Sequence, residues 1–196
     1  YFSSFAVNNH NYLLHFQNRI QYLKDSVAAV KDFPQEGILF RDITTLLEDP
    51  RALKDTIDLL YEVYKDEKID YIAAADARGF IFGCALAYKI GCGLVLVRKK
   101  GKLPRETISQ DYDLEYGKNT LEICKGSLKK GDNVLLLDDL LATGGTAGAM
   151  IKLVEKSGAN IVSFAFIIEL FDLGGAKHIK DTYGIDSFSL ISFPGH

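Results

Sequence analysis

Short apolar runs alternate with helically spaced segments along most of this chain. Val134–Leu137 and Tyr71–Ala75 are brief and uniformly apolar, as strands buried on both faces are. Leu94–Val97, Thr120–Cys124, the almost uninterrupted apolar Ile161–Ile168, and Phe188–Ile191 also read as strands. Between them, the spacing predicts helices from Pro50 to about Asp66, with Leu53, Ile57, Leu60 and Val63 on one face, and from about Ile81 to Ile90. Further helices are predicted from about Ala147 to Lys156 and after Gly174-Gly175. Nearer the N-terminus, Leu13, Phe16, Ile20, Leu23, Val27 and Val30 form a helical stripe from Tyr12 to about Lys31. Asn8 to Asn11 read as a break before that stripe, and Asp32-Phe33-Pro34 as its end. Residues 34–45 open as a loop with a short extended piece at Ile38–Phe40. Strands alternating with helices predict an α/β fold, a mostly parallel central sheet flanked by helices. The 196 residues contain no repeat or interdomain linker and suit a single domain, 1–196.

One junction carries most of the chemistry. Val134–Leu137 is followed by Asp138-Asp139, then by Ala142, Thr143, Gly144, Gly145 and Thr146 at a helix start. Glycines let backbone N–H groups approach an anion, threonines add hydroxyl donors, and a helix N-terminus favours negative charge. That is a phosphate cradle. It lacks the G-x-x-x-x-G-K-[ST] of P-loop proteins and the G-x-G-x-x-G of dinucleotide sites. The acid pair does not bind phosphate, which leaves ribose hydroxyls, a metal ion or a developing cation. A second junction, Asp76-Ala77-Arg78-Gly79-Phe80, follows Tyr71–Ala75, and ligands of open α/β sheets bind beyond such strand ends. Arg41-Asp42 sits beside an apolar run, either as a local ion pair or as part of a site.

After Leu94–Val97 the chain turns cationic: Arg98, Lys99, Lys100, Lys102 and Arg105 fall within residues 98–105. Gly101 and Pro104 argue against a regular element there, so residues 98–113 are expected to form an anion-binding, flexible lid. The net charge of −3 speaks against a nucleic-acid partner. No apolar run reaches the roughly 18 residues of a membrane helix, and no basic-then-apolar leader is visible in this sequence. Three cysteines without a C-x-x-C pair point to a reduced, cytoplasmic setting rather than a zinc site, with Cys84 and Cys92 as small buried fillers. His10 and His15 do not share a helix face and read as surface residues.

These demands converge on a sugar phosphate carrying a pyrophosphate leaving group. Cleavage at its anomeric carbon gives an oxocarbenium-like transition state, which carboxylates stabilise while cations neutralise the departing pyrophosphate. The string LLLDDLLATGGT resembles the signature of phosphoribosyltransferases that use phosphoribosyl pyrophosphate. FPQEGILFRDIT, DARGF, VRKKGKLPRETIS, YDLEYG and the FPGH ending resemble the adenine-using branch of that family, in order from about Gln21 to His196.

The resemblance implies a type I phosphoribosyltransferase-like fold with an N-terminal extension and helix (about 1–32), a base-binding hood (about 33–48) and the flexible lid (about 98–113). It implies that Asp138 and Asp139 hold the ribose hydroxyls and that Ala142, Thr143, Gly144, Gly145 and Thr146 cradle the 5′-phosphate. Arg78, Arg98, Lys99 and Lys102 would approach the pyrophosphate. Leu39, Phe40 and Arg41 would enclose adenine, and Glu115, with Tyr116 beside it, would handle the purine proton. It further implies Mg²⁺ held mainly by substrate, a homodimer, and AMP and pyrophosphate as products. Asp76 stands where many relatives carry Glu, an exchange expected to preserve activity. A phosphoribosyltransferase for another purine, or a non-catalytic regulator binding phosphoribosyl pyrophosphate, are the competing readings.

Overall fold

The computed structural model of the chain describes residues 2–114 and 116–195, with residues 2–11 described by their backbone alone. The chain divides into two compact units, one running to Asp58 and the other spanning Leu59–Gly195.

The first unit begins with α1 (Phe2–Ser26), followed by β1 (Ala28–Lys31), β2 (Leu39–Asp42), α2 (Thr44–Glu48) and the start of α3 (Pro50–Tyr64). The helix runs through residues 8–11, where a break was expected. Asparagine lowers helix propensity by only about 0.7 kcal/mol per residue, so it weakens a helix without ending one. The helix also stops at Ser26 rather than near Lys31. There the Ser26 hydroxyl donates to the Leu23 carbonyl at 2.6 Å, while the Thr45 hydroxyl donates to the Ser26 carbonyl and accepts from the Ala28 N–H. Residues 28–31 then pair antiparallel with β2, Ala28 opposite Asp42 and Lys31 opposite Leu39. The start of α3 agrees with its sequence: Pro50 needs no N–H partner, and Asp49 accepts from the N–H groups of Arg51 and Ala52. Its inward stripe is rotated, however. Ala52, Thr56, Ile57, Leu59 and Leu60 are buried, and Val63 is exposed.

The second unit is built on a seven-stranded sheet. In chain order its strands are β3 (Tyr71–Ala75), β4 (Gly93–Lys99), β5 (Thr107–Asp113), β6 (Lys118–Cys124), β7 (Asn133–Leu141), β8 (Asn160–Leu170) and β9 (Ser187–Phe193). Their spatial order is β5-β6-β4-β3-β7-β8-β9. The five strands from β4 to β9 in that row are mutually parallel, and β5 and β6 are antiparallel additions at one side. Helices α4 (Arg78–Ile90), α5 (Gly145–Ser157) and α6 (Gly175–Tyr183) connect the strands. This is the expected mostly parallel α/β architecture. Val134–Leu137 are fully buried, as their unbroken apolar run predicted.

Two further expectations need correction. Residues 98–113 are mostly strand: β4 continues to Lys99 and β5 begins at Thr107, leaving residues 100–106 as the irregular turn. Ile108, Gln110 and Tyr112 alternate with exposed Ser109, Asp111 and Asp113, the half-buried pattern of a charged edge strand. Cys84 is exposed and Cys92 intermediate, so only Cys124 is a buried filler. Among the described residues no helix is long and apolar enough to cross a membrane.

Candidate active site

Strand β7 carries the acid pair within it and runs on past the end of its apolar run to Leu141, before turning through Ala142-Thr143-Gly144 into α5. Gly144, the N-cap residue, has φ of +92°, a left-handed conformation that glycine adopts without strain. No side chain caps the helix there, so the first-turn N–H groups are left to a ligand or water. The neighbouring helix comes very close: a Cβ at Gly175 would lie 2.4 Å from the Ala142 carbonyl oxygen. Glycine at 175 is what allows α6 to back the loop. A cavity of about 260 Å³ opens here, lined by residues 140–147, Asp138, Phe166, and Tyr112, Asp113 and Leu114 at the end of β5. The structure thus gathers all five sequence-proposed cradle residues and one of the acids around one cavity. The wall from 112–114 was missed, although the alternation in Thr107–Asp113 puts Tyr112 on the inner face.

The two acids are used differently. Asp139 accepts from Arg78 Nε at 2.5 Å, and its side chain is only 11% exposed. Asp138 lines the cavity, and its Oδ1 accepts the Asp139 N–H at 2.8 Å. Burial, and then the charge of Asp139, push the Asp138 carboxyl well above the ordinary carboxylate range. A Cβ at Gly79 would stand 3.3 Å from Asp138 Oδ1, so the glycine of the second junction lets α4 start against the acid. Beside this, Arg98 donates to Asp76 at 3.2 Å and its guanidinium lies 5.8 Å from the Phe80 ring centre. The two arginines proposed for pyrophosphate are therefore held in register by carboxylates, while Lys99 and Lys102 are exposed.

Tyr116 is 89% exposed, and Glu115 lies outside the described residues. Leu39, Phe40 and Arg41 form β2 of the first unit, each half-buried, with the Phe33 ring edge-on to Phe40 at 5.1 Å. Asp42, beside Arg41, accepts from the N–H and hydroxyl of Thr44. Among the described residues no three His, Cys, Asp or Glu converge into a metal cage.

Comparison with known proteins bears directly on this arrangement. The sequence matches the phosphoribosyl transferase domain family over residues 42–193, which takes in the acid pair, the cradle and both arginine junctions. It is 53% identical over 178 residues to the adenine phosphoribosyltransferase of Escherichia coli O157:H7 (strain EC4115 / EHEC), covering 91% of this chain and 97% of that protein. The chain belongs to the adenine phosphoribosyltransferases. Solved members of this family share its fold. The enzyme from Thermoanaerobacter pseudethanolicus superposes with a TM-score of 0.84 at 46% identity, covering 89% of this chain and 99% of that one. The Saccharomyces cerevisiae enzyme, solved with an imino-altritol bisphosphate and adenine, gives 0.82 at 39% identity, with 89% and 99% covered. Leu39 to Arg41 lie just before the domain match but inside the 178-residue alignment with the Escherichia coli enzyme.

Proposed function

We propose that this chain moves the 5-phosphoribosyl group of phosphoribosyl pyrophosphate onto adenine, giving AMP and pyrophosphate. The observation that carries this is the cavity joining a carboxylate of β7 to a phosphate cradle, in a chain of this family. In the reaction a purine nitrogen supplies the electron pair that bonds to the anomeric carbon. The bond from that carbon to pyrophosphate breaks, and the leaving group takes its electrons with it.

Each residue then has a physical task. Backbone N–H groups of 142–146 and the hydroxyls of Thr143 and Thr146 hold the 5′-phosphate. Asp138 and Asp139 orient the ribose hydroxyls and face the positive charge that develops on the ring. Arg78, Arg98, Lys99 and Lys102 meet the pyrophosphate, the arginines preoriented by Asp139 and Asp76. Leu39, Phe40 and Arg41 enclose adenine, and Glu115, with Tyr116 beside it, takes the purine proton. The Asp138 carboxyl, buried next to another acid, suits the arrival of a cation. Mg²⁺ fits that demand: held mainly by substrate, with Asp138 and Asp139 the carboxylates that would face it, it would supply positive charge to neutralise the leaving group. Ile81 and Tyr88, exposed on one face of α4, support a homodimer, and free cysteines support a reducing, cytoplasmic setting.

The test is pyrophosphate release with Mg²⁺ and phosphoribosyl pyrophosphate, comparing adenine, hypoxanthine, guanine and no base. Release with adenine alone is expected. Release with an oxopurine instead would overturn the adenine assignment but keep the sugar-phosphate chemistry. Binding of phosphoribosyl pyrophosphate without release would overturn catalysis.

A further inference from the structure

One acid in the second unit has no task in the reaction as described. Glu122 lies on β6 in an otherwise apolar stretch and is only 8% exposed. One of its oxygens accepts the Gly101 N–H at 2.7 Å, and the other accepts the Thr107 hydroxyl, also at 2.7 Å. Those two donors stand at the start and just past the end of the 100–106 turn. Gly101 has φ of +83°, so the turn reverses at the very residue the carboxylate grips. Across the sheet Glu122 stands opposite Arg98 on β4 and Ser109 on β5.

The turn needs such an anchor. Residues 98–105 carry five cations, and like charges at that density repel one another and favour a dispersed loop. A carboxylate set beneath the turn supplies a countercharge and two charge-assisted hydrogen bonds at once. Removing it would leave the Gly101 N–H and the Thr107 hydroxyl without that partner and would take away the negative charge that Lys100 feels.

We propose that Glu122 is a positioning residue for pyrophosphate recognition, clamping both ends of the cationic turn so that Lys99 and Lys102 are presented to the substrate. This rests on the assignment of the turn to pyrophosphate under the proposed function. Glu122 touches no substrate and acts through the turn.

Steady-state kinetics of the full chain with adenine, Mg²⁺ and phosphoribosyl pyrophosphate test it. Glu122→Ala is expected to raise KM for phosphoribosyl pyrophosphate by about tenfold, the scale of a lost charge-assisted hydrogen bond, and to leave KM for adenine within about twofold. Glu122→Gln keeps an acceptor for Gly101 and an amide for Thr107, and is expected to recover to within about threefold of the parent. If Glu122→Ala does not fold, Thr107→Val reads the same clamp, with about a threefold rise confined to the same KM. Equal changes in both KM values, no change in either, or a glutamine variant as impaired as alanine would overturn the proposal. Lys102→Ala separates the two readings. If it leaves KM for phosphoribosyl pyrophosphate unchanged, the turn is not the pyrophosphate site. If it raises that KM and the Glu122 and Thr107 variants do not, the clamp alone is wrong.

Discussion

Asp138 towards the end of β7 and Glu122 in the middle of β6 are both carboxylates withdrawn from water, yet their surroundings push them in opposite directions. Glu122 accepts from Thr107 and from the Gly101 N–H, which holds its carboxyl below the ordinary glutamate range. Asp138 has burial and a neighbouring carboxylate against it, eased only by the Asp139 N–H and the more distant Arg78 charge. The first is a finished interaction within the scaffold. The second is an unfinished one, facing a cavity where, under the proposed function, a ligand would bring hydroxyl donors and positive charge. The two acids are thus told apart both by their donors and by how far each carboxyl is desolvated.

Substituting the unfinished acid should break the comparison most clearly. Asp138→Asn is expected to lower kcat/KM by about 10² to 10³, the scale of losing one preorganised electrostatic partner of the transition state. The same change should stabilise the ligand-free chain by about 1 kcal/mol, a Tm rise of roughly 2–4 °C, because it removes repulsion with Asp139. A melting temperature that falls would mean Asp138 is already satisfied. Asp139→Asn should behave differently, since Asp139 is paired with Arg78. It is expected to cost about tenfold in kcat/KM and to give no gain in Tm, as the Arg78 side chain is half exposed and the pair is worth about 1 kcal/mol or less. A stabilised Asp139→Asn would make the two acids equivalent and sink the distinction.

The smallest effects lie in the pH dependence of unfolding. A depressed carboxyl contributes stability above its unfolded value, and that contribution is lost as pH falls through the depressed value. Glu122→Gln should therefore flatten the acid limb of a stability profile, below about pH 4.5, the ordinary value for glutamate. For Asp138 the sign reverses. Its contribution is complete below the ordinary aspartate value and is lost as pH rises through the raised one, so Asp138→Asn should flatten the limb above about pH 4. Chemical denaturation across pH reads both limbs, and identical slopes in the two variants would contradict the opposed shifts.

The phosphate cradle was legible because its chemistry is backbone chemistry: glycines at a strand-to-helix turn constrain the chain locally, wherever the rest of it goes. The parallel strands were legible for the same reason, through runs such as Val134–Leu137. What stayed hidden depends on distant partners. Thr45 ends α1 from across a hairpin, and no local pattern around Ser26 announces it. Strand β5 was masked by the charges and Pro104 just before it, although its own alternation was present. Glu122 looked like one polar residue in a strand, because both of its partners lie 15 or 21 residues away. Arg78 was placed on the same crevice as the acids by the strand-end argument and at the pyrophosphate only by the resemblance; that it grips Asp139 is a fact of packing.

Strand β7 lies between β3 and β8, parallel to both, and it is made late. A nascent chain that has emerged only as far as Cys124 already holds β3 to β6, but the inner side of β3 is an open row of N–H and C=O groups. Closing that row requires residues 133–141, the same residues that deliver Asp138 and Asp139. During synthesis, then, the strand that joins β3 to the later half of the sheet and the acid pair proposed for the ribose arrive in one event. A chain that stops short of residue 133 carries neither the join nor the acids.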